Sequence, residues 1–125
     1  MYTIINCGFY EGKQNNVAFK IIENWCEQSN IKFGGGIGQG GGEMLRKIKK
    51  LPNFISPFKN FERELQRMMK KVILKEYFGV IYLTPIFPLF LFKYIGTINW
   101  NIMARKNGLK KNDIIKEYKK QKNGI

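Results

Sequence analysis

Residues 34 to 42 read Gly-Gly-Gly-Ile-Gly-Gln-Gly-Gly-Gly, so seven of these nine positions are glycine. Such a run usually marks close backbone approach or positive φ angles, because glycine in a folded element carries an entropic cost. The run directly follows a short apolar segment, Ile31-Lys32-Phe33, which predicts a strand. We therefore expect a glycine loop at the carboxyl end of that strand, where ligands gather in α/β proteins. The alternative is a flexible linker.

A strand–helix–strand unit surrounds the glycine run. Residues 2–7 form a short β-prone segment, and the helix that follows is predicted from an apolar stripe with helical spacing. The stripe comprises Val17, Ala18, Ile21, Ile22, Trp25 and Cys26. Together with the strand at 31–33, this pattern predicts one βαβ unit with parallel strands. The loops at 8–12 and 34–42 then meet at one edge of the sheet.

The charge of the chain is concentrated in its second half. The formal net charge is +13, and residues 44–125 contain nineteen basic and five acidic side chains. A basic half can attract nucleic acid, an anionic membrane or a phosphorylated ligand, or it can reflect lysine-rich composition alone. Nucleic acid is not expected as a partner, because the sequence contains no zinc-finger spacing and no helix-turn-helix signature.

The second half is expected to be helical, hydrophobic and basic. A helix beginning at Pro57 is predicted from apolar residues with helical spacing, namely Phe58, Phe61, Leu65, Met68, Met69 and Val72. Residues 77–92 carry no charge, but they are fewer than the ~20 residues that a spanning helix needs, and Pro85 and Pro88 interrupt them. This segment therefore suggests a buried, interfacial or dimer-forming stretch.

Few residues could perform catalysis unaided. The chain has no histidine and two cysteines, Cys7 and Cys26, which provide neither a histidine-dependent triad nor a metal site. No catalytic residue is assigned, and any redox chemistry requires a cofactor. No signal peptide opens the chain, so a cytoplasmic protein with reduced thiols is expected.

Several segments together resemble one known family. They are 5–15, which contains Cys-Gly-Phe-Tyr-Glu-Gly, the pair Trp25-Cys26, the glycine segments 33–38 and 41–45, and the tail 100–109. The chain resembles the C-terminal half of flavodoxin-like NAD(P)H-dependent FMN reductases. The resemblance implies that the two strands are the fourth and fifth of a five-stranded parallel sheet.

The resemblance also implies a set of FMN contacts and a set of partners. The residues implied to contact or closely approach the flavin ring are Cys7, Gly8, Phe9, Tyr10, Glu11, Gly34, Gly35, Gly36 and Gly38. NAD(P)H would be the reductant. The family's phosphate-binding loop follows its first strand and has no counterpart here, so the chain resembles a truncated member. The missing N-terminal half supplied in trans, or a second copy, would complete it.

The combined prediction is an α/β chain with two regions. Residues 1–50 form a partial flavodoxin-like sheet of one βαβ unit with a glycine-rich loop, and residues 51–125 form a helical basic region. The predicted function is flavin-ring binding within an NAD(P)H-dependent FMN or quinone reductase, with enzymatic activity only when the chain is completed. Two alternatives stay open: a non-enzymatic basic protein on the inner face of a membrane, and an inactive truncated remnant.

Overall fold

Three parallel strands form the centre of the structure. The computed structural model describes residues 1–45, 56–110, 112–113 and 116. The elements follow in the order β1 (Tyr2–Asn6), a 3-10 helix (Gly12–Asn15), α1 (Asn16–Gln28), β2 (Gly35–Gln39), α2 (Gly42–Leu45), α3 (Lys59–Ile73), β3 (Gly79–Leu83) and α4 (Leu89–Lys106). The chain divides into two compact units, Met1–Phe87 and Pro88–Ile125, and the first contains all three strands.

The sheet has the order β1-β2-β3, and both strand pairs are parallel. This confirms the α/β class and the βαβ unit built from β1, α1 and β2. The prediction of one βαβ unit followed by a helical region omits a strand, because β3 lies within residues 77–92 and pairs with β2. β2 is therefore a central strand, whereas the resemblance implies that it is the fifth strand, which lies at the edge of a flavodoxin-like sheet. A short apolar run such as Gly-Val-Ile-Tyr-Leu cannot be assigned to strand or buried helix by periodicity alone.

The second strand is formed by the glycine run itself. β2 spans Gly35–Gln39 with all five residues buried, whereas 31–33 adopts no regular structure. The expectation of a strand at 31–33 followed by a glycine loop is therefore wrong. The physical reason is close packing: a Cβ added at Gly36 would lie 2.1 Å from the Thr3 carbonyl oxygen and 2.7 Å from Phe19 Cε1. Only glycine allows the neighbouring elements to approach this strand so closely.

The two faces of β2 are covered by different helices. Phe19 of α1 is 1% exposed and packs edge-to-face on Tyr82, with ring centroids 5.9 Å apart. On the alternate face, Ile37 forms the main core cluster with Met68 and Leu83. The partly buried residues around this cluster are Tyr2, Phe61, Leu65, Phe78 and Ile81. Because side chains alternate across a strand, α1 lies on the glycine face and α3 on the Ile37 face.

Helix α3 is close to its predicted position and covers the core with part of its apolar stripe. The Ser56 hydroxyl accepts a hydrogen bond from the Phe58 backbone N–H at 3.3 Å just before the helix begins. Met68 is buried, while Met69 is 55% exposed. The predicted boundary between residues 50 and 51 lies outside the described residues.

Both edge strands, β1 and β3, lack a further strand among the described residues. β1 pairs only with β2, and the Ile4 side chain of β1 is 48% exposed. On α1, three apolar side chains four residues apart also remain open: Val17, Ile21 and Trp25 are 61%, 63% and 50% exposed. This edge of the sheet and this side of α1 therefore present backbone groups and apolar side chains that a neighbouring element could cover.

Replacing Gly36 with alanine tests the close packing of β2. Because the new Cβ would overlap the Thr3 carbonyl oxygen, we expect Gly36→Ala to lower the free energy of unfolding by about 2 kcal/mol or more. Gly96→Ala is the control: it lies within α4, a Cβ there meets nothing within 4 Å, and the change should raise helix stability by up to about 1 kcal/mol. Urea titrations followed by circular dichroism measure both. Equal stabilities would contradict the packing argument.

Candidate functional site

The carboxyl ends of all three strands meet at one edge of the sheet. β1, β2 and β3 end at Asn6, Gln39 and Leu83, which share one register position across the sheet. The segments that follow the strands, 7–12, 40–43 and 84–87, therefore begin side by side. This is the edge at which open α/β sheets bind ligands, and we name it the carboxyl edge.

Backbone hydrogen bonds hold the loop after β1 against the end of β2. The Cys7 N–H donates to the Gln39 carbonyl at 3.0 Å, and the Gly42 N–H donates back to the Cys7 carbonyl at 2.8 Å. The Gly41 N–H donates to the Phe9 carbonyl at 2.6 Å. A loop fixed at three points in this way presents its remaining atoms in one arrangement, which is what a binding site needs.

The Asn15 side chain holds the C-terminal end of the same loop in place by hydrogen bonds. The side chain is buried, and Nδ2 donates to the carbonyls of Gly12 and Gln39 at 2.9 and 3.2 Å. The same nitrogen lies 3.5 Å from the Cys7 sulfur. This buried amide links the loop after β1 to the last residue of β2. Its role could not be read from the sequence, since asparagine before a helix usually indicates a cap.

Gly8 and Phe9 are the open part of the loop. Phe9 is 68% exposed, and a Cβ added at Gly8 would meet one neighbour within 4 Å, Glu43 Cγ at 3.9 Å. An accessible backbone beside an accessible aromatic ring offers a surface for a planar group. We name Gly8, Phe9 and Glu43 the open ledge of the carboxyl edge.

Tyr10 and Glu11 complete the predicted loop contacts and differ in exposure. Tyr10 is half-buried, and its hydroxyl donates to the Phe87 carbonyl, which joins this loop to the segment after β3. Glu11 is exposed, as is Glu43. Neither carboxylate forms an ion pair with any residue that the structure describes. Both are exposed acceptors on the segments that follow β1 and β2.

Cys7 is half-buried at the start of the loop. Its sulfur lies 3.8 Å from the carbonyl oxygens of Phe9 and Glu11. These contacts position the thiol as a packing group behind the loop, beside the Asn15 amide. In the described part of the chain, no three His, Cys, Asp or Glu side chains are grouped as a metal site.

The four predicted glycines are separate from this loop. A Cβ at Gly34 would lie 2.6 Å from the Tyr2 ring, and at Gly35 it would lie 2.3 Å from the Gly79 carbonyl oxygen. Gly36 and Gly38 face Phe19. All four are buried by protein atoms, so the predicted set is divided between the carboxyl edge, with residues 7–11, and the interior of the sheet.

Gly40, Gly41 and Gly42 are the glycines that do lie at the carboxyl edge. The Gly40 N–H donates to the Leu83 carbonyl at 2.9 Å, and a Cβ there would lie 2.1 Å from the Tyr10 carbonyl oxygen. Gly41 has a φ of +70°, which favours glycine. Their position in the glycine run could have identified them, because residues 40–42 directly follow the strand once that strand is assigned to Gly35–Gln39.

A concavity lies at the opposite end of the sheet. Its volume is about 220 Å³, and it is lined by Met1, Tyr2, Lys32, Gly34, Lys75, Glu76 and Tyr77. The Tyr2 hydroxyl donates to the Glu76 carbonyl there at 2.6 Å. This is the amino end of the strands, whereas ligands of open α/β sheets bind at the carboxyl end. The carboxyl edge is therefore the stronger candidate.

Comparison with known proteins provides no further assignment. No protein-family model, no curated protein and no solved structure gives a match to this chain. The resemblance to flavodoxin-like reductases therefore stays a prediction, and the geometry of the carboxyl edge is the basis for a functional proposal.

The fastening role of Asn15 can be tested through the two thiols. Asn15→Ala removes the buried amide that donates to the Gly12 and Gln39 carbonyls, and the Gln39 carbonyl keeps the Cys7 N–H as a donor. We therefore expect the free energy of unfolding to fall by about 1–2 kcal/mol. The Cys7 thiol should also react faster with a thiol reagent, while Cys26, which is 1% exposed, should not. Asn24→Ala, on the exposed side of α1, is the control. Equal acceleration at both cysteines would indicate general loosening and contradict a local role.

Proposed function

We propose that this chain is the C-terminal portion of a flavodoxin-like flavoprotein of the NAD(P)H-dependent FMN or quinone reductase type. Its contribution is to bind and orient the flavin ring at the carboxyl edge. The observation that carries the proposal is the fixed loop 7–11, which presents the open Gly8 backbone and a 68% exposed Phe9 beside the end of β2.

The residues present fit a flavin ring in shape and polarity. A planar ring system can stack on Phe9 and lie against the peptide backbone at Gly8, where no side chain intervenes. Glu43 belongs to the same open ledge, and its carboxylate can accept a hydrogen bond from a ring N–H. When bound, FMN would supply the hydride chemistry that no side chain of this loop supplies.

The proposal assigns phosphate binding to a part of the protein outside this chain. By the resemblance, the phosphate is held by the loop after the family's first strand. Those further strands and their helices would pack at the edge of β1, where Ile4 and the α1 side chains Val17, Ile21 and Trp25 are between 48% and 63% exposed. An N-terminal half in trans or a second copy would supply them.

Flavin titration of the purified chain tests the proposal. Because this chain contributes ring contacts and no phosphate loop, we expect FMN and riboflavin to bind with equal affinity, measured by quenching of flavin fluorescence. A large preference for FMN would place a phosphate site on this chain and contradict the assignment of phosphate binding to another part of the protein.

Two matched phenylalanine variants test the location of the site. Phe9→Ala should weaken flavin binding about three- to tenfold, the magnitude expected for loss of one aromatic stacking partner. Phe90→Ala is the control, because Phe90 has nearly the same exposure, 69%, and lies on α4. Equal weakening by both variants would place the flavin elsewhere. A folded chain that binds neither flavin would favour the alternative of an inactive truncated remnant.

A further inference from the structure

Helix α4 exposes an unusual amount of apolar surface. It spans Leu89–Lys106, and none of its eighteen residues is buried. The large apolar side chains of the helix that are more than one-third exposed are Leu89, Phe90, Leu91, Tyr94, Ile95, Ile98, Trp100, Ile102 and Met103. Soluble monomers rarely expose contiguous apolar patches larger than a few hundred Å². An exposed apolar surface of this extent is typical of a site that contacts a partner.

Four of these residues form one continuous stripe. Leu91, Ile95, Ile98 and Ile102 are separated by four, three and four residues, which places them on one side of the helix. Their exposed fractions lie between 36% and 48%. We name these four residues the α4 stripe.

The charges on and after α4 are almost all positive. The helix contains Lys93, Arg105 and Lys106 and no acidic residue. Residues 88–125 contain nine basic and two acidic side chains, a net charge of +7. An anionic surface is complementary to this segment, whereas a second copy would bring two segments of +7 together. Charge therefore favours an anionic lipid surface over self-association.

The positions of the charged and aromatic residues fit a helix lying on a bilayer. By helical spacing, Lys93 is nearly opposite the α4 stripe, and Arg105 and Lys106 flank the stripe at its C-terminal end, where long cationic side chains can reach lipid headgroups. Tyr94 lies beside the α4 stripe and is 64% exposed, and tyrosine is enriched at membrane interfaces. Trp100 is seven residues from Lys93 and therefore shares the opposite side of the helix with that lysine. Within the described residues, no helix combines the length and hydropathy that a bilayer crossing needs.

We propose that α4 docks on an anionic phospholipid surface, with the α4 stripe inserted among the acyl chains and the cations at the headgroups. Such docking does not depend on the flavin site and goes beyond it. It would bring a redox protein to a membrane surface, where lipid-soluble acceptors are present.

Tryptophan reporters on the two sides of α4 allow a direct test. Ile98→Trp, made in a chain with Trp25→Phe and Trp100→Phe, places the single reporter on the α4 stripe, whereas Trp25→Phe alone leaves Trp100 on the side opposite the stripe. Mixed with vesicles of phosphatidylcholine and phosphatidylserine, the Ile98→Trp chain should shift its emission to shorter wavelength, and the chain that keeps Trp100 should shift less. Equal shifts in the two chains would contradict insertion of the stripe.

Adjacent substitutions separate insertion from charge. Ile98→Glu and Thr97→Glu add the same negative charge one residue apart, but only Ile98 belongs to the α4 stripe. Ile98→Glu should reduce co-sedimentation with the anionic vesicles roughly tenfold or more relative to Thr97→Glu, because a large apolar side chain is lost from the inserted face. Equal reductions by the two variants would overturn the insertion of the stripe.

Charge dependence provides the remaining test. Replacing Arg105 and Lys106 with glutamine should weaken binding about tenfold or more, and added salt should do the same. Equal binding to phosphatidylcholine alone, or none to either vesicle, would overturn the proposal. Sedimentation of the lipid-free chain as a dimer that Ile98→Glu dissociates would identify a second copy as the occupant of the α4 stripe instead.

Discussion

The arrangement of this protein depends on how closely its neighbours approach β2. Positions 36 and 38 carry no side chain, so the Phe19 ring and the β1 backbone at Thr3 occupy the space where Cβ atoms would stand. Ile37 is the apolar anchor of the strand and points to the opposite face, where Met68 and Leu83 enclose it. Glycine on one face and a large residue on the other therefore determine how near each helix lies to the sheet.

The same constraint continues into the carboxyl edge. After Gln39, the three glycines 40–42 let the loop from β1 cross the end of β2 and donate backbone hydrogen bonds to that loop and to β3. Asn15 closes the arrangement from the side of α1. The packing of the sheet therefore determines where the open ledge lies. Buried residues such as Asn15, Gly40 and Gly41 hold the loop in place, and the exposed Gly8, Phe9 and Glu43 are the residues that would contact a ligand.

The sequence was informative where side chains carry a pattern. The apolar stripes of α1 and α3 predicted both helices, and the β-prone segment 2–7 predicted β1 and its parallel pairing with a following strand. Strand propensity reports how side chains fit a pleated surface, so a strand of glycines produces no such signal. The strand was consequently placed at 31–33. Four glycines were predicted to approach a ligand, namely Gly34, Gly35, Gly36 and Gly38. In the structure the atoms close to them belong to Tyr2, Gly79, Thr3 and Phe19.

Other features depend on distant partners and could not be read locally. β3 pairs with the backbone edge of β2, and Val80, Ile81 and Tyr82 favour a strand, but the periodicity of so short an apolar run does not separate it from a helical segment. The Asn15 amide likewise reaches Gln39, which is far away in sequence. The loop 7–11 was predicted at the correct edge because it follows β1 directly, which requires only the order of elements along the chain.

A central strand without side chains also affects how the molecule folds. Each glycine has more conformational freedom in the unfolded chain than alanine has, a difference of about 0.5–1 kcal/mol per residue within an ordered element. β2 therefore has little tendency to become extended by itself. β2 pairs with β1 and β3 and packs against Phe19 and Met68, so we expect it to become ordered only together with these neighbours. Folding of the first unit should accordingly be all-or-none, with no stable intermediate that contains two paired strands.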